Sequence, residues 1–467
     1  MRLKQGAFLA VASIAMGTSC GRDVTPLGIV PRPVILQTSI ATNPVNVLSA
    51  VVTVRAHHVD SAQVWFHVGG QKGDSITPAT ALSGDSATLD VLGLLPGSGY
   101  VLRVVAYGGL DVAVSDSLEF RTDTIPADLP HYTASGLDPS PGYVAFAAGR
   151  YGLVIDNTGR VVWYRYFADG AGLTFMAQPN GRFVARPSTP QPNDLEPWVE
   201  IDPAGNLTRT LGCVGGLQPR LHDLIAEPDG GYWIMCDETR TMDLSEQGGF
   251  TSARVTGTVV QHVGPGGELL FEWSAFDHVA ITDLEPESRV GPTVNWTHGN
   301  AIDFDADGNL LVSFRSLGEI TKIDVGSGGI MWRMGGLANQ FSFQDTPLPA
   351  FSRQHSVRHT GSGGLLMLDN MGNPQESRAE RYAVDQAART ARLIQSYAST
   401  PGVITTIGGG VQELPGGRTI VSFGTGGRVE EFDAQGAMVW QIEGNAGYVF
   451  RAQRIQSLYR PGMESTR

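Results

Sequence analysis

Charged residues and helix-forming runs are scarce in this chain. Only 17% of its 467 residues are charged, and long runs rich in Ala, Leu, Glu and Lys are missing. Helical proteins are built from such runs, so an all-helical fold is excluded. Glycine and proline, with 59 and 27 residues, instead make up nearly a fifth of the chain. Short strands joined by turns rich in these residues are typical of an all-β architecture.

Basic residues and long apolar runs are in short supply as well. The chain has 33 Lys and Arg against 46 Asp and Glu, a net charge of −13. Nucleic-acid binding needs a basic face that neutralises phosphates, so we expect no nucleic-acid partner. Residues 7–16 are apolar but too few to span a bilayer, which takes about 20. Because they follow Arg2 and Lys4, they are typical of an export signal.

Cysteine occurs only three times. Gly, Thr and Ser directly precede Cys20, an order that resembles a bacterial lipobox. We therefore expect residues 1–19 to be a lipoprotein-type signal peptide and Cys20 to carry lipid; an ordinary cleaved signal is the alternative. The protein is then exported to the periplasm or cell surface and held to a bacterial membrane by this anchor alone. Cys213 and Cys236 remain, either as a disulfide or as two buried free thiols.

Residues 33–123 alternate between apolar and polar side chains in the manner of a β-sandwich. The stretch around Tyr100, followed by residues 117–122, resembles the end of a fibronectin type III domain, where a Tyr lies at a strand corner. We expect a spacer or interface module here, since no catalytic pattern is visible in it.

The segment from about 130 to 460 repeats. Each repeat contains an apolar pair, a tight turn and a strand that usually ends in Trp. Six copies, about 46 to 62 residues apart, begin at Ile155, Ile201, Val263, Ile323, Val384 and Phe432. A second turn falls between most copies and is centred on Gly181, Gly230, Gly308, Gly363 and Gly416.

Two hairpins in each repeat make one four-stranded blade of a β-propeller. The second turn is missing once, because residues 142–163 supply only three strands of their blade. Residues 448–458 can supply the fourth, which closes the ring and removes exposed strand edges. The fold predicted is all-β: a six-bladed propeller preceded by a small β-sandwich.

Three of the ten histidines occupy equivalent places in consecutive repeats. His222 and His355 each lie 8 residues before the glycine of the second turn, and His298 lies 10 before it. These positions begin the innermost strands, which line the central channel. Arg315 and Asn370 each lie 7 residues beyond that glycine, where the returning strand reaches the level of the histidines. The five side chains should crowd one mouth of the channel.

Two chemistries fit such a cluster. Three imidazoles can bind a divalent metal with a position open for substrate. Arg315 opposes a cation, since like charges repel at that range. The other chemistry is an oxyanion pocket in which one neutral imidazole is the nucleophile. His359 lies on the same strand as His355 but about 13 Å along it, so it is interpreted as structural.

Several blocks around these residues resemble the bacterial arylsulfate sulfotransferase family. They are residues 296–303, residues 313–315 with the Ile-Asp at 323–324, Gln354-His355, and residues 368–370. The resemblance runs from about residue 130 to the C-terminus. It implies an exported six-bladed propeller with a small N-terminal β-domain. Such enzymes move a sulfuryl group from one phenol to another without a nucleotide sulfate donor.

The resemblance also implies roles for individual residues. His355 matches the nucleophile that becomes sulfated in a ping-pong cycle. His222, His298 and Arg315 match residues that hold the sulfate oxygens and assist the leaving phenolate, a protonated histidine acting as general acid. Asn300 follows the same block and, with Asn370, is a candidate for substrate binding.

The predicted function is thus transfer of a sulfuryl group from a phenolic sulfate ester to a phenolic acceptor, without a cofactor or a metal. Two alternatives stay open. One is a lipid-anchored, non-catalytic propeller that binds a ligand or a protein partner. The other is a hydrolase or lyase that uses a metal held by the three histidines. Association into a homodimer is left open.

Overall fold

The computed structural model describes residues 31–71, 73–188, 197–344, 346–372, 375–443 and 446–463. The predicted signal peptide and the lipidation site at Cys20 lie outside them. Within these ranges, none of the helices has the length and apolar character needed to cross a membrane.

Nine strands form the N-terminal sandwich. One of its sheets has the order β1-β2-β6, and the other has the order β4-β3-β7-β8 with β5 added to β3 and β9 to β7. In β2 the buried residues Ala50, Val52 and Val54 alternate with more exposed ones. They belong to one apolar cluster with Leu89 of the neighbouring strand β6 and Leu102 of β7 in the other sheet. The strands are β1 (Val34–Thr42), β2 (Ser49–His57), β3 (Ser61–Val68), β4 (Ser75–Ile76), β5 (Thr80–Ala81), β6 (Ser86–Leu92), β7 (Gly99–Gly108), β8 (Asp111–Val114) and β9 (Leu118–Arg121).

The rest of the described chain forms six sheets, each with four consecutive antiparallel strands at its centre. In chain order the strands are β10 (Ala134–Gly136), β11 (Tyr143–Ala148), β12 (Tyr151–Ile155), β13 (Val161–Tyr166), β14 (Phe175–Ala177), β15 (Phe183–Ala185), β16 (Trp198–Ile201), β17 (Leu207–Leu211), β18 (Gln218–Ala226), β19 (Tyr232–Met242), β20 (Ala253–Val263), β21 (Leu269–Ser274), β22 (Thr293–Asn295), β23 (Gly299–Phe304), β24 (Leu310–Phe314), β25 (Glu319–Ile323), β26 (Ile330–Gly335), β27 (Ser342–Gln344), β28 (His355–His359), β29 (Leu365–Asp369), β30 (Arg378–Asp385), β31 (Thr390–Ala398), β32 (Gly410–Leu414), β33 (Arg418–Ser422), β34 (Val429–Phe432), β35 (Met438–Ile442) and β36 (Ala452–Ile455).

These sheets are the six blades that the repeats predict. Blade 1 has the order β36-β11-β12-β13, so its innermost strand comes from the C-terminal end, as expected; Tyr143 pairs with Ile455. Blades 2 to 6 are β14–β17, β18–β21, β23–β26, β28–β31 and β32–β35. The all-β, six-bladed propeller is confirmed.

A few short elements lie outside the blades. Strands β10, β22 and β27 extend blades 6, 3 and 5, the last two in parallel. The described α-helix is α1 (Ala275–His278), and the 3-10 segments are Val214–Gly216, Ser245–Gln247, Ile281–Asp283, Pro286–Ser288 and Pro415–Gly417.

The N-terminal sandwich rests on the propeller. Asn43 donates to the carbonyl of Ala204 at 2.6 Å, and the amide of Leu92 donates to the hydroxyl of Tyr459 at 3.0 Å. Leu48 is buried in the propeller's apolar core. These contacts fit the expected interface module, while the fibronectin likeness and the predicted boundaries at 33–123 and 130–460 stay predictions.

Cys213 and Cys236 are joined by a disulfide in blade 3, with their Cα atoms 6.2 Å apart. It closes a loop between the end of blade 2 and the second strand of blade 3. Of the two alternatives that the sequence leaves open, the structure adopts the disulfide.

Candidate active site

His222, His298 and His355 converge at one mouth of the channel. The ring centroid of His222 lies 5.0 Å from that of His298 and 6.1 Å from that of His355. One ring nitrogen of each lies within 4.8 Å of those of the other two. The structure therefore brings together the three histidines that the repeat register places at one level.

Each histidine lies at an irregularity in its innermost strand. The pairing register shifts between Pro219 and Leu224 in β18, just after His298 in β23, and between His355 and Arg358 in β28. Such bulges bend a strand and re-aim its side chains, and they are common next to active sites.

The backbone at two of these bulges has positive φ at residues other than glycine. The values are 51° at His298, 53° at Arg353 and 59° at Ser356. A conformation of this kind costs about 1–3 kcal/mol and persists only where the surroundings enforce it. The strain lies at the mouth of the channel, beside the histidines.

Hydrogen bonds fix the tautomer of His355. Its Nδ1 lies 2.8 Å from Oδ1 of Asn370 and 3.0 Å from the carbonyl of Arg353. The amide orientation of Asn370 is determined, because its Nδ2 donates to the carbonyls of Thr405 and Gly408, each at 2.9 Å. Both partners of Nδ1 are therefore acceptors, and Nδ1 carries the proton. Nε2 is left with a free lone pair, and no described residue hydrogen-bonds it.

His298 and His222 are held differently. Nδ2 of Asn295 donates to Nδ1 of His298 at 2.7 Å, which leaves the other nitrogen of His298 as a donor. Nδ1 of His222 is buried without a hydrogen-bond partner among the described residues, a costly arrangement unless a ligand satisfies it. The ring of Phe450 packs edge-on against His222 at 5.5 Å and against His355 at 6.2 Å.

The three imidazoles of the site are neutral, and nearby arginines surround them with positive charge. Burial is the largest cause that lowers the pKa of His355, to about 4, and the charges of Arg315 and Arg451 add to it. Burial and Arg220 likewise lower the pKa of His298 to about 2 and that of His222 well below its ordinary value. None of the three has a carboxylate partner among the described residues. The unliganded site therefore favours an anion, and at neutral pH it contains no imidazolium.

Arg315 lies where the hairpin geometry predicts. Its backbone amide donates to the carbonyl of His298 at 3.0 Å, and its half-buried guanidinium donates to the carbonyl of Thr406 at 3.1 Å. Its charge lowers the pKa of both His298 and His355, so it lies in electrostatic range of both.

The two asparagines make hydrogen bonds within the protein. All three hydrogen bonds of the Asn370 side chain go to the protein and position His355, and its contact with substrate stays a prediction. Asn300 is fully buried and donates to the carbonyl of Gln354 at 2.7 Å, which ties β23 to the residue before His355. Its Oδ1 is buried without a partner among the described residues, and its contact with substrate stays a prediction.

Sequence reasoning missed Arg220, Arg451 and Phe450. Arg220 comes two residues before His222 and pairs with Asp237. Arg451 and Phe450 directly precede the closing strand β36, where the repeat has no second turn from which to measure a position. A search for arginines beside the predicted innermost strands would have found the two arginines.

The three imidazoles also have the spacing of a metal site. A divalent cation can accept one nitrogen from each, and the proton on Nδ1 of His355 would suit ligation through Nε2. The three arginines that act on the cluster oppose a cation and favour a negatively charged group.

A comparison with known protein families bears on the class of function. Residues 219–445 match the family model described as arylsulfotransferase (ASST). The match covers just under half of the chain and supports an arylsulfotransferase family. The matched segment holds all three histidines, Arg315 and Asn370. The protein is accordingly an enzyme of the sulfotransferase class.

The solved structures that are similar to this chain are distant. A protein of unknown function from Bacteroides caccae is 14% identical, with a TM-score of 0.44, and the match covers 68% of this chain and 100% of that one. An inactive variant of virginiamycin B lyase from Staphylococcus aureus is 10% identical, with a TM-score of 0.38, over 68% and 91% of the two chains. Regucalcin from Agrobacterium tumefaciens is 16% identical, with a TM-score of 0.34, over 71% and 95%. A comparison with curated proteins finds no match.

Proposed function

We propose that the protein transfers a sulfuryl group from a phenolic sulfate ester to a phenolic acceptor through a sulfated His355. The observation that carries the proposal is the fixed tautomer of His355. Asn370 and the carbonyl of Arg353 both accept from Nδ1, so the lone pair on Nε2 is free within a pocket suited to an anion. A neutral imidazole of this kind is a good nucleophile.

In the first half of the cycle, Nε2 of His355 attacks the sulfur atom of the ester. The bond between sulfur and the phenolic oxygen breaks, and its electron pair leaves with the phenolate. Arg315 and the N–H groups of His298 and His222 are placed to donate to the sulfuryl oxygens and to the departing oxygen. In the second half, an acceptor phenol gives up its proton to solvent and its oxygen bonds to the same sulfur. The bond from sulfur to Nε2 breaks, and its electron pair returns to the imidazole, which leaves neutral His355.

The pKa values change one part of the expected mechanism. A protonated histidine acting as general acid does not fit the free enzyme, since the pKa of both His298 and His222 is depressed. Neutral N–H donors serve the leaving phenolate instead. An ester with a good leaving group, such as p-nitrophenyl sulfate, should therefore react fastest.

The test uses p-nitrophenyl sulfate with and without phenol. We expect release of nitrophenol that depends on phenol, and a wild-type protein whose His355 peptide gains one SO3 group when the donor is supplied alone. His355→Ala should remain folded and lose about 10⁴-fold or more in turnover. A folded variant with wild-type turnover would contradict the assignment of the nucleophile.

The His-metal hydrolase or lyase remains a second candidate because of the ligand spacing of the three imidazoles. It predicts nitrophenol release that does not depend on phenol and that disappears after chelation. The sulfotransfer proposal predicts activity that chelation leaves unchanged.

We further propose that the chain is exported and anchored through lipid at Cys20. The disulfide between Cys213 and Cys236 supports this, because disulfides persist in oxidising compartments. Cys20→Ser should release the protein from the membrane fraction of the producing cells. Retention of this variant on the membrane would contradict the anchor.

A further inference from the structure

Three charged side chains meet on the channel axis directly beneath the histidines. Arg451 Nη1 lies 2.7 Å from Oδ1 of Asp223, and Arg358 Nη2 lies 3.0 Å from Oδ2 of the same carboxylate. The side chains of Arg451 and Asp223 are only 5% and 3% exposed. We call this group, Arg451, Asp223 and Arg358, the septum.

The septum is held by four of the six blades. Arg451 enters from just before the closing strand of blade 1, Asp223 from blade 3 and Arg358 from blade 5. Arg358 donates to the carbonyl of Ile302 in blade 4 at 3.0 Å, and Arg451 donates to that of Asn300 at 2.8 Å.

The two remaining blades make room for the septum. Arg451 contacts the sulfur of Met176 in blade 2 at 3.4 Å. In blade 6, a Cβ on Gly410 would lie 2.9 Å from Cγ of Arg451, so the lack of a side chain there lets Arg451 cross the channel.

The arginines of the septum line a cavity that none of the three histidines lines. Above the septum lie His222 and His355, whose pKa the charge of Arg451 helps to depress. Below it lies the cavity, of about 360 Å³, lined by Arg358 and Arg451 and by residues toward the far end of the channel: Asp303, His359, Gly361 and Glu413 among them. At about 30 Å³ for each molecule, this space holds about a dozen waters.

Stability alone explains the septum poorly. Removing two guanidinium groups and a carboxylate from water costs several kcal/mol for each ion, which a buried pair repays only partly. Within the septum one carboxylate faces two guanidinium groups, and the second is balanced only by Asp303, which acts on Arg358 from outside the group. An apolar plug would close the channel at lower cost but would supply no positive charge to the floor of an anion pocket.

We propose that the septum bars water in the lower cavity from sulfated His355, so that the sulfuryl group passes to a phenol instead of to water. This inference rests on the proposed function. In the side reaction, a water oxygen bonds to sulfur while the bond from sulfur to Nε2 breaks and its electron pair returns to the imidazole. The water gives up both protons to solvent, and the products are sulfate and neutral His355. Excluding water is a recognised way of preventing such losses.

The predicted signature is hydrolysis that phenol does not suppress. A bound phenol fills the mouth of the channel, so water from that side is displaced as phenol saturates. Water from beneath is not displaced. The quantity to measure is inorganic sulfate formed for each nitrophenol released, extrapolated to saturating phenol.

Arg451→Met removes the charge but keeps most of the length of the side chain. We expect the extrapolated ratio to rise about fivefold or more above that of the wild type, while His355 is still sulfated by the donor. Asp223→Asn, which has almost the same shape as the native side chain, leaves two arginines facing each other and should raise the ratio as well. If Arg451→Met fails to fold, the result with Asp223→Asn decides.

Arg454→Met is the matched control. Arg454 lies on the same closing strand and is fully buried, but it pairs with Glu431 at 2.7 Å and donates to Asn157, neither of which is on an innermost strand. Its loss should lower stability and leave the ratio at the wild-type value.

Two failures can be told apart. If the wild type transfers to phenol and folded Arg451→Met or Asp223→Asn shows the wild-type ratio, the septum proposal is overturned and the proposed function stands. If the wild type neither sulfates His355 nor responds to phenol, both proposals are overturned.

Discussion

His355 and His359 lie four residues apart on the same innermost strand, yet their surroundings are opposite. His355 is buried, held at Nδ1 by two acceptors, and surrounded by other imidazoles and by arginines. His359 lies beside carboxylates: its backbone amide donates to Asp303 at 2.7 Å, and its Nε2 lies 3.4 Å from Oδ1 of Asp305.

The contrast extends to the two ends of the channel. At the mouth, polar groups such as Nδ1 of His222 are left without partners among the described residues. At the far end, Asp305 accepts from Lys322 at 2.5 Å and from Gln386 at 2.7 Å, and Nε2 of His359, which makes no hydrogen bond among the described residues, lies beside that carboxylate. Groups that are buried and unsatisfied carry a free-energy cost that a ligand can remove. We therefore expect substrate to bind at the mouth, where the unpartnered nitrogen of His222 lies among arginine charges, whereas Nε2 of His359 lies beside a carboxylate.

The largest effect beyond that of His355→Ala is expected from removing the positive charge of Arg315 at the mouth of the channel. Arg315→Met should lower kcat/KM for p-nitrophenyl sulfate about 10²- to 10³-fold, because a preorganised cation beside developing negative charge is lost. Arg315→Lys should recover part of this loss. Steady-state kinetics on folded variants provides the measurement, and a loss below about threefold would show that Arg315 does not contact the reacting group.

Activity should fall in acid, at a pH that is low because His355 is buried. Because the pKa of His355 is lowered to about 4, Nε2 keeps its lone pair at higher pH and loses it as pH falls through that value. We expect kcat/KM to stay level between about pH 8 and 5 and to fall about tenfold for each pH unit below 4.

The same burial makes the fold sensitive to acid. Histidines that are neutral in the folded protein bind protons on unfolding, so stability is full above their unfolded pKa of about 6.5 and falls as pH drops below it. Circular dichroism at each pH separates this loss from loss of the nucleophile. In Arg315→Met the acid limb of kcat/KM should move to higher pH, since Arg315 helps to depress the pKa of His355. An acid limb centred near 6.5 in the wild type would contradict the low pKa.

Much of this arrangement could be predicted from the sequence, because a propeller repeats. The turn glycines Gly230, Gly308 and Gly363 set the level of each residue in its blade, and from them the three histidines and Arg315 follow. The strand that closes blade 1 follows in the same way, since one repeat lacks its second turn.

What the sequence did not reveal depends on contacts across the channel. Arg451 reaches Asp223 and Asn300 from another blade, a distance that no repeat register encodes. The positive φ of His298 and the bulge after His355 are local distortions enforced by packing. Asn370 was placed at the right level, but the direction of its amide was decided by the carbonyls of Thr405 and Gly408.

The smallest expected effect belongs to His359, and it sharpens the comparison most directly. His359→Asn changes the same residue type on the same strand as His355→Ala, at the paired end of the channel. Loss of its contact with Asp305 should cost about 1 kcal/mol or less, because the side chain is partly exposed and the contact is long at 3.4 Å. Turnover should stay within about twofold of the wild type, and the pH profile should not move. Thermal unfolding and steady-state kinetics on the same preparation measure both quantities. A side chain below the septum should have no contact with the reacting atoms. If His359→Asn instead lost turnover as His355→Ala is expected to, the division of the channel into a reacting end and a paired end would be wrong.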